Sequence, residues 1–244
     1  MINIPSLRPE TRYGIPPADH LLFNRQYIIG YSYLLRQAKW ALELIDLNNR
    51  VDDLDDRIDS FRPAYRIHEK FRVNLADYKR SGYDRGHLVA SANRQESELL
   101  NSETFLLTNM SPQHDDLNRD IWRRLEQHIR DLCGLENIVE VYTICGPLFR
   151  IGEKIEVIGF DPDNPNDVVI PVPHSYFKSI LAEDVKGKVK IWTFVFPNED
   201  CPDPLKDNQR STSYVEKWAG LPLWDRLTGK EADSIKDKMN ELWF

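Results

Sequence analysis

The clearest helix of the chain is strongly amphipathic, and it lies among segments that have the alternating pattern of strands. Its apolar residues recur every three or four positions and form one stripe: Leu117, Ile121, Leu125, Ile129 and Leu132. Asp115 or Asp116 is a suitable cap for its first turn, and Gly134 marks its end. We therefore expect one face of this helix to be buried.

Alternating aromatic and β-branched residues predict strands before and after this helix. Residues 25–47 are predicted to form paired strands, and further strands are predicted at 104–109, 138–144, 154–159 and 189–196. Residues 211–218 and 229–242 are predicted to be helical. Because strands outnumber helices and do not alternate with them regularly, the predicted fold class is α+β with a mostly antiparallel sheet.

The length of 244 residues allows one large domain or two small ones, at roughly 150 residues per domain. The sequence has no internal repeat, no low-complexity tract and no obvious linker. We therefore predict a single domain over residues 1–244, with residues 1–23 as an irregular N-terminal arm. Polar loops are expected at 49–60 and 161–167.

Several classes of protein are excluded by composition. The three cysteines, Cys133, Cys145 and Cys201, are far apart and contain no C-x-x-C pair, which argues against a disulfide framework or a zinc knuckle. No apolar run reaches the roughly 18 residues that span a bilayer, so no membrane partner is expected. The N-terminus lacks the features of a signal peptide. This predicts a cytoplasmic protein if the chain is complete, and a secreted or organellar one if a leader is missing.

The overall charge is acidic, with a formal net charge of −7, which argues against a passive phosphate-binding scaffold. Residues 61–85 differ, because they contain seven basic and three acidic residues, a local charge of +4. A local basic face on an acidic body suits transient contact with a polyanion. From charge alone, an ordinary solvated face is the favoured interpretation.

Asp84-Arg85-Gly86-His87 combines residue types that can act on a phosphate ester. His87, with an ordinary pKa of about 6.5, can take a proton from water. Arg85 can bind phosphate oxygens through two hydrogen bonds. Gly86 allows either close approach of the backbone to a ligand or a bend in the strand. A lone Arg-Gly-His is weak evidence, and a structural histidine is the alternative.

The amphipathic helix adds Asn118 and Glu126, which lie two turns apart on roughly the same side, with Trp122 between them. Amide and carboxylate oxygens are hard ligands that suit Mg²⁺ retaining most of its waters. The alternative is an asparagine of the first helical turn and a solvated Glu126 that pairs with Arg123 or Arg130.

Three segments together resemble the DNA/RNA non-specific endonuclease family: Ser-Gly-Tyr-Asp-Arg-Gly-His at 81–87, Thr-Asn-Met-Ser-Pro-Gln at 108–113, and Leu-Asn-Arg-Asp-Ile-Trp-Arg-Arg-Leu-Glu at 117–126. Residues 13–16, 25–40, 142–148, 172–178 and 194–198 are also similar to the family. The resemblance covers most of the chain and implies a ββα-metal active site.

This resemblance implies a role for each site residue. His87 would be the general base, and Asn118 the only direct protein ligand to a hydrated Mg²⁺ or Mn²⁺. Glu126 would hold metal-bound waters, and Asn109 would orient His87 or the loop beside it. Arg85 would stabilise charge on the phosphate, with Arg66 and Arg130 as further phosphate contacts. Asp84 would pair within the motif.

The implied activity is metal-dependent hydrolysis of DNA and RNA with little sequence specificity, leaving 5′-phosphates. The alternatives are a sequence-selective nuclease, a catalytically silent or restrained nucleic-acid-binding module, and a phosphodiesterase for small nucleotides. A homodimer and an inhibitor or activating partner are left open by the sequence.

Overall fold

The computed structural model of the chain describes residues 8–47, 59–160, 163, 169–201 and 204–244. Its centre is a seven-stranded antiparallel sheet. In spatial order, its strands are β1 (His20–Phe23), β2 (Tyr27–Ser32), β3 (Gln37–Ile45), β6 (Ile138–Leu148), β9 (Ser175–Asp184), β10 (Val189–Pro197) and β11 (Gln209–Arg210). The predicted α+β class with a mostly antiparallel sheet is confirmed.

Both faces of this sheet are buried, because successive side chains of a strand point to opposite sides. Along β9, Tyr176 and Ile180 belong to the core on one face, whereas Phe177 and Leu181 belong to the core on the other. The strands are therefore nearly continuous apolar runs, as expected for strands covered on both faces.

The amphipathic helix covers the first face. It consists of α2 (Asp115–Leu117), a π-helical turn (Asn118–Trp122) and α3 (Arg123–Cys133), and we refer to it as the 115–133 helix. All five residues of its predicted stripe are buried in the core on this face. The cap is His114 and not Asp115 or Asp116, because the His114 side chain accepts a hydrogen bond from the amide of Asp116.

A short hairpin leads directly into this helix. It pairs β4 (Asp84–His87) with β5 (Met110–Gln113) in an antiparallel register that sets Asp84 opposite Gln113 and His87 opposite Met110. The helix α1 (Glu98–Glu103) lies between the two strands in sequence. Hairpin and helix together form the predicted ββα motif.

The second face of the sheet is covered by α4 (Thr212–Ala219) and α5 (Lys230–Asp237), with Val215 in the core and Ile235 packed against it. A separate short ladder pairs β7 (Val157–Ile158) with β8 (Ile170–Pro171). Among the described residues, no helix combines the length and the apolar character that crossing a bilayer requires.

Several predicted elements are wrong in type or extent. The arm predicted at 1–23 ends earlier, because β1 pairs along its whole length with β2. The strand predicted at 104–109 is replaced by a 3-10 turn (Leu107–Asn109), and the strand instead begins at Met110 and includes Pro112. The terminal helix ends at Asp237, and the strand predicted at 154–159 shrinks to Val157–Ile158.

The polar loop predicted at 49–60 lies outside the described residues up to position 58, and most of the loop predicted at 161–167 does too. The central strand β9 was not predicted, although it contacts both β6 and β10 along its length.

Candidate active site

The hairpin and the 115–133 helix line a cleft of about 700 Å³. Its walls contain predicted residues from both elements: Arg85, His87, Asn118, Glu126 and Arg130. Residues that lie 45 positions apart in sequence thus meet because β5 carries the chain from the hairpin straight into the helix. The cleft lies at the junction of the hairpin and the helix.

His87 is the last residue of β4 and is half-buried. Its ring packs edge-on against Phe105 at 4.9 Å between centroids and lies 5.8 Å from the Phe61 ring. Its carbonyl accepts a hydrogen bond from Nε1 of Trp122 at 3.2 Å, which joins the strand to the helix. Backbone and ring are therefore both restrained at the edge of the cleft.

Gly86 serves the packing of the hairpin. A Cβ atom at this position would lie 1.9 Å from Oε1 of Gln113, whose side chain crosses the hairpin in full burial. The sequence suggested that Gly86 allows close approach of the backbone to a ligand. In the structure, the Gln113 side chain is what excludes a side chain at this position. The glycine is needed because a buried side chain occupies the space.

Asn109 is fully buried and holds the segment that follows His87. Its Oδ1 accepts from the amide of Val89 at 3.0 Å, and its Nδ2 donates to the carbonyls of Val89 and Thr104 at 2.9 Å. It does not line the cleft. Its contacts therefore place it among residues that fix the loop beside His87.

Asn118 enters the cleft from the π-helical turn, and its amide group is oriented by Asp84. The Asp84 carboxylate accepts from Nδ2 of Asn118 at 2.9 Å and from Nε and Nη2 of Arg119 at 2.9 and 2.8 Å. Burial raises the pKa of Asp84, but the hydrogen bonds from Arg119 and Asn118 outweigh it, so the pKa lies below its usual value. Because Nδ2 is committed to Asp84, Oδ1 of Asn118 is left to accept from or ligate other groups.

Glu126 is held by a residue that the sequence reasoning did not single out, Lys178 of β9. Nζ of Lys178 donates to Oε1 of Glu126 at 3.1 Å and lies 4.2 Å from the centre of the Trp122 ring. Arg130, the alternative partner of Glu126 in the sequence, donates hydrogen bonds to Gln127 and Asn93. Lys178 could have been noticed as the one charged residue in an apolar stretch of strand, Ser-Tyr-Phe-Lys-Ser-Ile-Leu-Ala at 175–182.

Arginines dominate the charge of the cleft. One arginine of the hairpin and four of the helix line it: Arg85, Arg119, Arg123, Arg124 and Arg130. The carboxylate in the lining is that of Glu126. The guanidinium of Arg85 stacks on the Phe61 ring at 4.0 Å. This side chain is exposed, and it makes no salt bridge to any acid of the described residues. The cleft therefore presents positive charge within an acidic molecule.

Not every predicted basic residue reaches the cleft. Arg66 does not line it and instead donates to the carbonyl of Phe23 and to the side chain of Asn24. Of the basic stretch at 61–85, only Arg85 contributes to the cleft, and the remaining arginines come from the helix. The local charge of that stretch therefore did not predict which basic residues line the cleft, because side chains close in sequence point in different directions.

The oxygen atoms of Asn118 and Glu126 suit a hard divalent cation such as Mg²⁺ or Mn²⁺. They offer one amide oxygen and one carboxylate, and a cleft of about 700 Å³ leaves room for the waters such a cation retains. At the start of the helix, possible ligand atoms of His114, Asp115 and Asp116 lie within 4.8 Å of one another. None of these three residues lines the cleft.

A hairpin whose first strand ends in His87, followed by a helix that carries Asn118 and Glu126, defines a ββα-metal nuclease fold. The family model described as DNA/RNA non-specific endonuclease matches residues 6–229. The chain belongs to this family and is a sugar-non-specific endonuclease, a hydrolase of phosphodiester bonds.

Named relatives agree with this membership. The chain is 31% identical over 227 residues to "Endonuclease G, mitochondrial" of Caenorhabditis elegans, covering 90% of this chain and 72% of the relative. It is 32% identical over 235 residues to the human protein of the same name, covering 92% and 76%. A solved structure described as the crystal structure of the EndoG/EndoGI complex matches with a TM-score of 0.81 and 32% identity, covering 90% of this chain and 91% of that chain.

Proposed function

We propose that the chain hydrolyses DNA and RNA by a metal-dependent mechanism in which His87 is the general base, with little sequence specificity and with 5′-phosphate products. The observation that carries this proposal is the meeting of His87, Arg85, Asn118 and Glu126 in one cleft. Binding of nucleic acid alone needs neither a base nor an oxygen-ligand pair, which argues against a silent module.

His87 would take the proton of the attacking water. Its ring is held by aromatic contacts with Phe61 and Phe105, which keep the imidazole at the cleft edge. A positioned general base contributes about 10²–10⁴-fold to the rate. Asn109 would fix the loop behind this histidine through the Val89 backbone.

Asn118 would bind the divalent cation directly through Oδ1, and Glu126 would hold the waters around it. When bound, the cation would neutralise negative charge on the scissile phosphate and the leaving oxygen. Asp84 would keep the amide of Asn118 in the ligating orientation. Arg85 and Arg130 would bind phosphate oxygens. Contacts to phosphate carry no base identity, which accounts for low sequence specificity.

The test is nicking of supercoiled plasmid and cleavage of a structured RNA, each with Mg²⁺ and with EDTA in its place. Wild type should cut both substrates only with the metal, and His87→Ala should cut about 10²–10⁴-fold more slowly with an unchanged circular dichroism spectrum. Products should be ligated without prior phosphorylation, since their 5′ ends carry phosphate. Retention by His87→Ala of more than about a tenth of the wild-type rate would contradict the role of this residue.

The sequence-selective alternative is tested on the same products. Mapped cut sites spread over most dinucleotides support the proposal, and a strong consensus would favour the selective nuclease. Hydrolysis confined to dinucleotides and absent on plasmid would favour the small-nucleotide phosphodiesterase.

Partners and location are proposed from the relatives. Because the similar solved structure is described as a mechanism of EndoG inhibition, we propose that a protein inhibitor restrains this nuclease. The mitochondrial names of relatives favour an organellar location over a cytoplasmic one. A homodimer stays a prediction, to be tested by light scattering.

A further inference from the structure

Lys178 is a buried charged residue in a mostly apolar layer, on the face of the sheet that also holds the ion pair of Glu43 and Arg94. It lies in the middle of β9, opposite Cys145 of β6 and Phe194 of β10. Its neighbours on the same face of the strand, Tyr176 and Ile180, belong to the core under the 115–133 helix. An ammonium group at this depth carries a large desolvation cost that apolar packing does not repay.

Only 1% of the Lys178 surface is exposed, so the side chain does not reach a nucleic acid in the cleft. Its charged end contacts two residues of the helix instead. Nζ donates to Glu126 at 3.1 Å and lies 4.2 Å from the face of Trp122, which attracts a cation. The lysine therefore acts on the cleft through the helix.

The carboxylate of Glu126 is the group that this contact restrains. Its side chain is 13% exposed and lines the cleft, and Oε1 is the atom that accepts from Lys178. The contact fixes one carboxylate oxygen toward the sheet and thereby limits the directions in which the other can face. In the cleft, Asn118 stands two helical turns before Glu126 on the same helix.

Stability alone does not account for the Lys178–Glu126 pair. Replacing a buried ion pair by apolar residues of similar volume is often neutral or stabilising, and the neighbours of Lys178 on its face of β9, Tyr176 and Ile180, are apolar. Because Tyr176 and Ile180 pack in the core on either side of position 178, a methionine or leucine at this position would also pack there. Lys178 donates a hydrogen bond to Glu126, and Glu43 adds a favourable charge on the same side of the sheet.

We propose that Lys178 is a positioning residue of this nuclease, which holds the Glu126 carboxylate in the orientation that binds the waters of the divalent cation. The inference rests on the proposed function, because it deepens the role given there to Glu126. It adds a residue on the opposite element, the sheet, to a site otherwise built from hairpin and helix.

The test is a double-mutant cycle of Lys178→Met and Glu126→Gln, with each single variant and the double variant. Lys178→Met keeps the length and removes the charge. In the wild-type background it should lower kcat 10–100-fold, with KM for DNA changed less than about twofold. In the Glu126→Gln background it should change kcat less than about twofold, because the group through which it acts has already lost its charge.

A second readout does not depend on cleavage. The dissociation constant of Mn²⁺ alone, measured by calorimetry, should rise about 10–100-fold in Lys178→Met and should rise no further in the double variant. If Lys178→Met does not fold, Lys178→Gln, which keeps an N–H donor and loses the charge, takes its place in the same cycle.

The matched control is Lys236→Met. Lys236 is also buried and donates from Nζ to Glu216 at 2.8 Å, but this pair lies between α5 and α4 on the opposite face of the sheet. Its loss should lower the melting temperature and leave kcat and Mn²⁺ affinity unchanged. Any shared effect on stability is thus separated from an effect on the site.

An equal loss of kcat from Lys178→Met in both backgrounds would show a merely structural role and overturn the inference. Unchanged kcat and Mn²⁺ affinity in Lys178→Met would overturn it as well. Failure of the proposed function would be seen separately, as absence of metal-dependent cleavage by the wild type or as full activity of His87→Ala. In that case the Mn²⁺ titration of the same four proteins still decides whether Lys178 acts through Glu126.

Discussion

At the residue scale, the orientation of one amide group decides what Asn118 can bind. Asp84 accepts from Nδ2 of Asn118, so the amide oxygen remains for a cation. We expect Asn118→Ala to weaken Mn²⁺ binding by at least about tenfold, with partial recovery of cleavage at high Mn²⁺ concentration. Calorimetry with Mn²⁺ measures the affinity, and a dissociation constant equal to that of wild type would remove Asn118 from the ligands.

Gly86 gives a second prediction at this scale, which concerns packing. Gly86→Ala would place Cβ 1.9 Å from Oε1 of Gln113 and should cost about 1–3 kcal/mol in the free energy of unfolding. Gly134→Ala is the matched control, since its nearest atom outside its own neighbours lies at an ordinary 3.4 Å. Denaturant unfolding compares the two, and Gln113→Ala should restore part of the loss. Equal stability of both alanine variants would contradict the packing argument.

At the element scale, a buried ion pair joins β3 to the segment that connects β4 to β5. Arg94 and Glu43 are 0% and 1% exposed and lie 2.9 Å apart. Glu43 also accepts from Asn93, whose side-chain oxygen in turn accepts from Arg130 at the cleft. The strand thus supports, through two side chains, one of the arginines predicted to bind phosphate.

Breaking this pair should be costly, because the remaining carboxylate would stay buried without its counter-charge. We expect Arg94→Met to lower the free energy of unfolding by about 3–5 kcal/mol. Arg150→Met is the control, since Arg150 pairs with Glu153 on the surface, and it should change stability by less than about 1 kcal/mol. Urea unfolding measures both. A small loss of unfolding free energy in Arg94→Met would mean that water or another polar group stabilises the Glu43 carboxylate in place of Arg94.

Also at the element scale, the 104–113 region shows where pattern reasoning fails. The apolar run at 104–107 has the composition of a strand, yet the side chain of Asn109 satisfies the backbone of Val89 and Thr104 and supports a turn instead. Pro112 lies in a strand with a single ladder partner, β4, so its missing N–H is tolerated.

At the scale of the whole molecule, charge is distributed unevenly. The chain has a net charge of −7, and the cleft is lined by five arginines and one glutamate. Long-range repulsion of nucleic acid is therefore opposed by local attraction at the site. Such binding is expected to weaken steeply with salt.

This gives a prediction with an internal control, measured with the His87→Ala protein so that DNA stays intact. Arg130→Ala should reduce the slope of log affinity against log salt by about 0.7–0.9, the loss of one phosphate contact. Arg66→Ala should leave the slope unchanged, because Arg66 does not line the cleft and is bound to Phe23 and Asn24. Fluorescence anisotropy at several salt concentrations measures the slopes. A change for Arg66 with none for Arg130 would reverse the assignment of the binding face.

The single domain predicted for residues 1–244 stays a prediction. It is supported by the sheet, whose strands run from His20 to Arg210, and by the tail, where Trp243 donates to the carbonyl of His128 on the 115–133 helix. A single cooperative unfolding transition by two spectroscopic probes would test it.

The sequence by itself determined the helix and the family. The stripe from Leu117 to Leu132 depends on a local period of 3.6 residues, and the motifs at 81–87 and 117–126 are contiguous in the chain. Both are read along the chain without knowledge of what lies opposite. The candidate catalytic residues could be proposed for the same reason.

Only the tertiary structure decided which residues stand opposite one another. It paired Lys178 with Glu126 across 52 positions and Arg94 with Glu43. It also placed the Gln113 side chain where a Cβ atom of residue 86 would lie. It also removed Arg66 from the cleft and added Arg119, Arg123 and Arg124. These contacts are set by strand order and by the direction of each side chain from the sheet. Neither is encoded in local periodicity, since strands buried on both faces look alike in sequence.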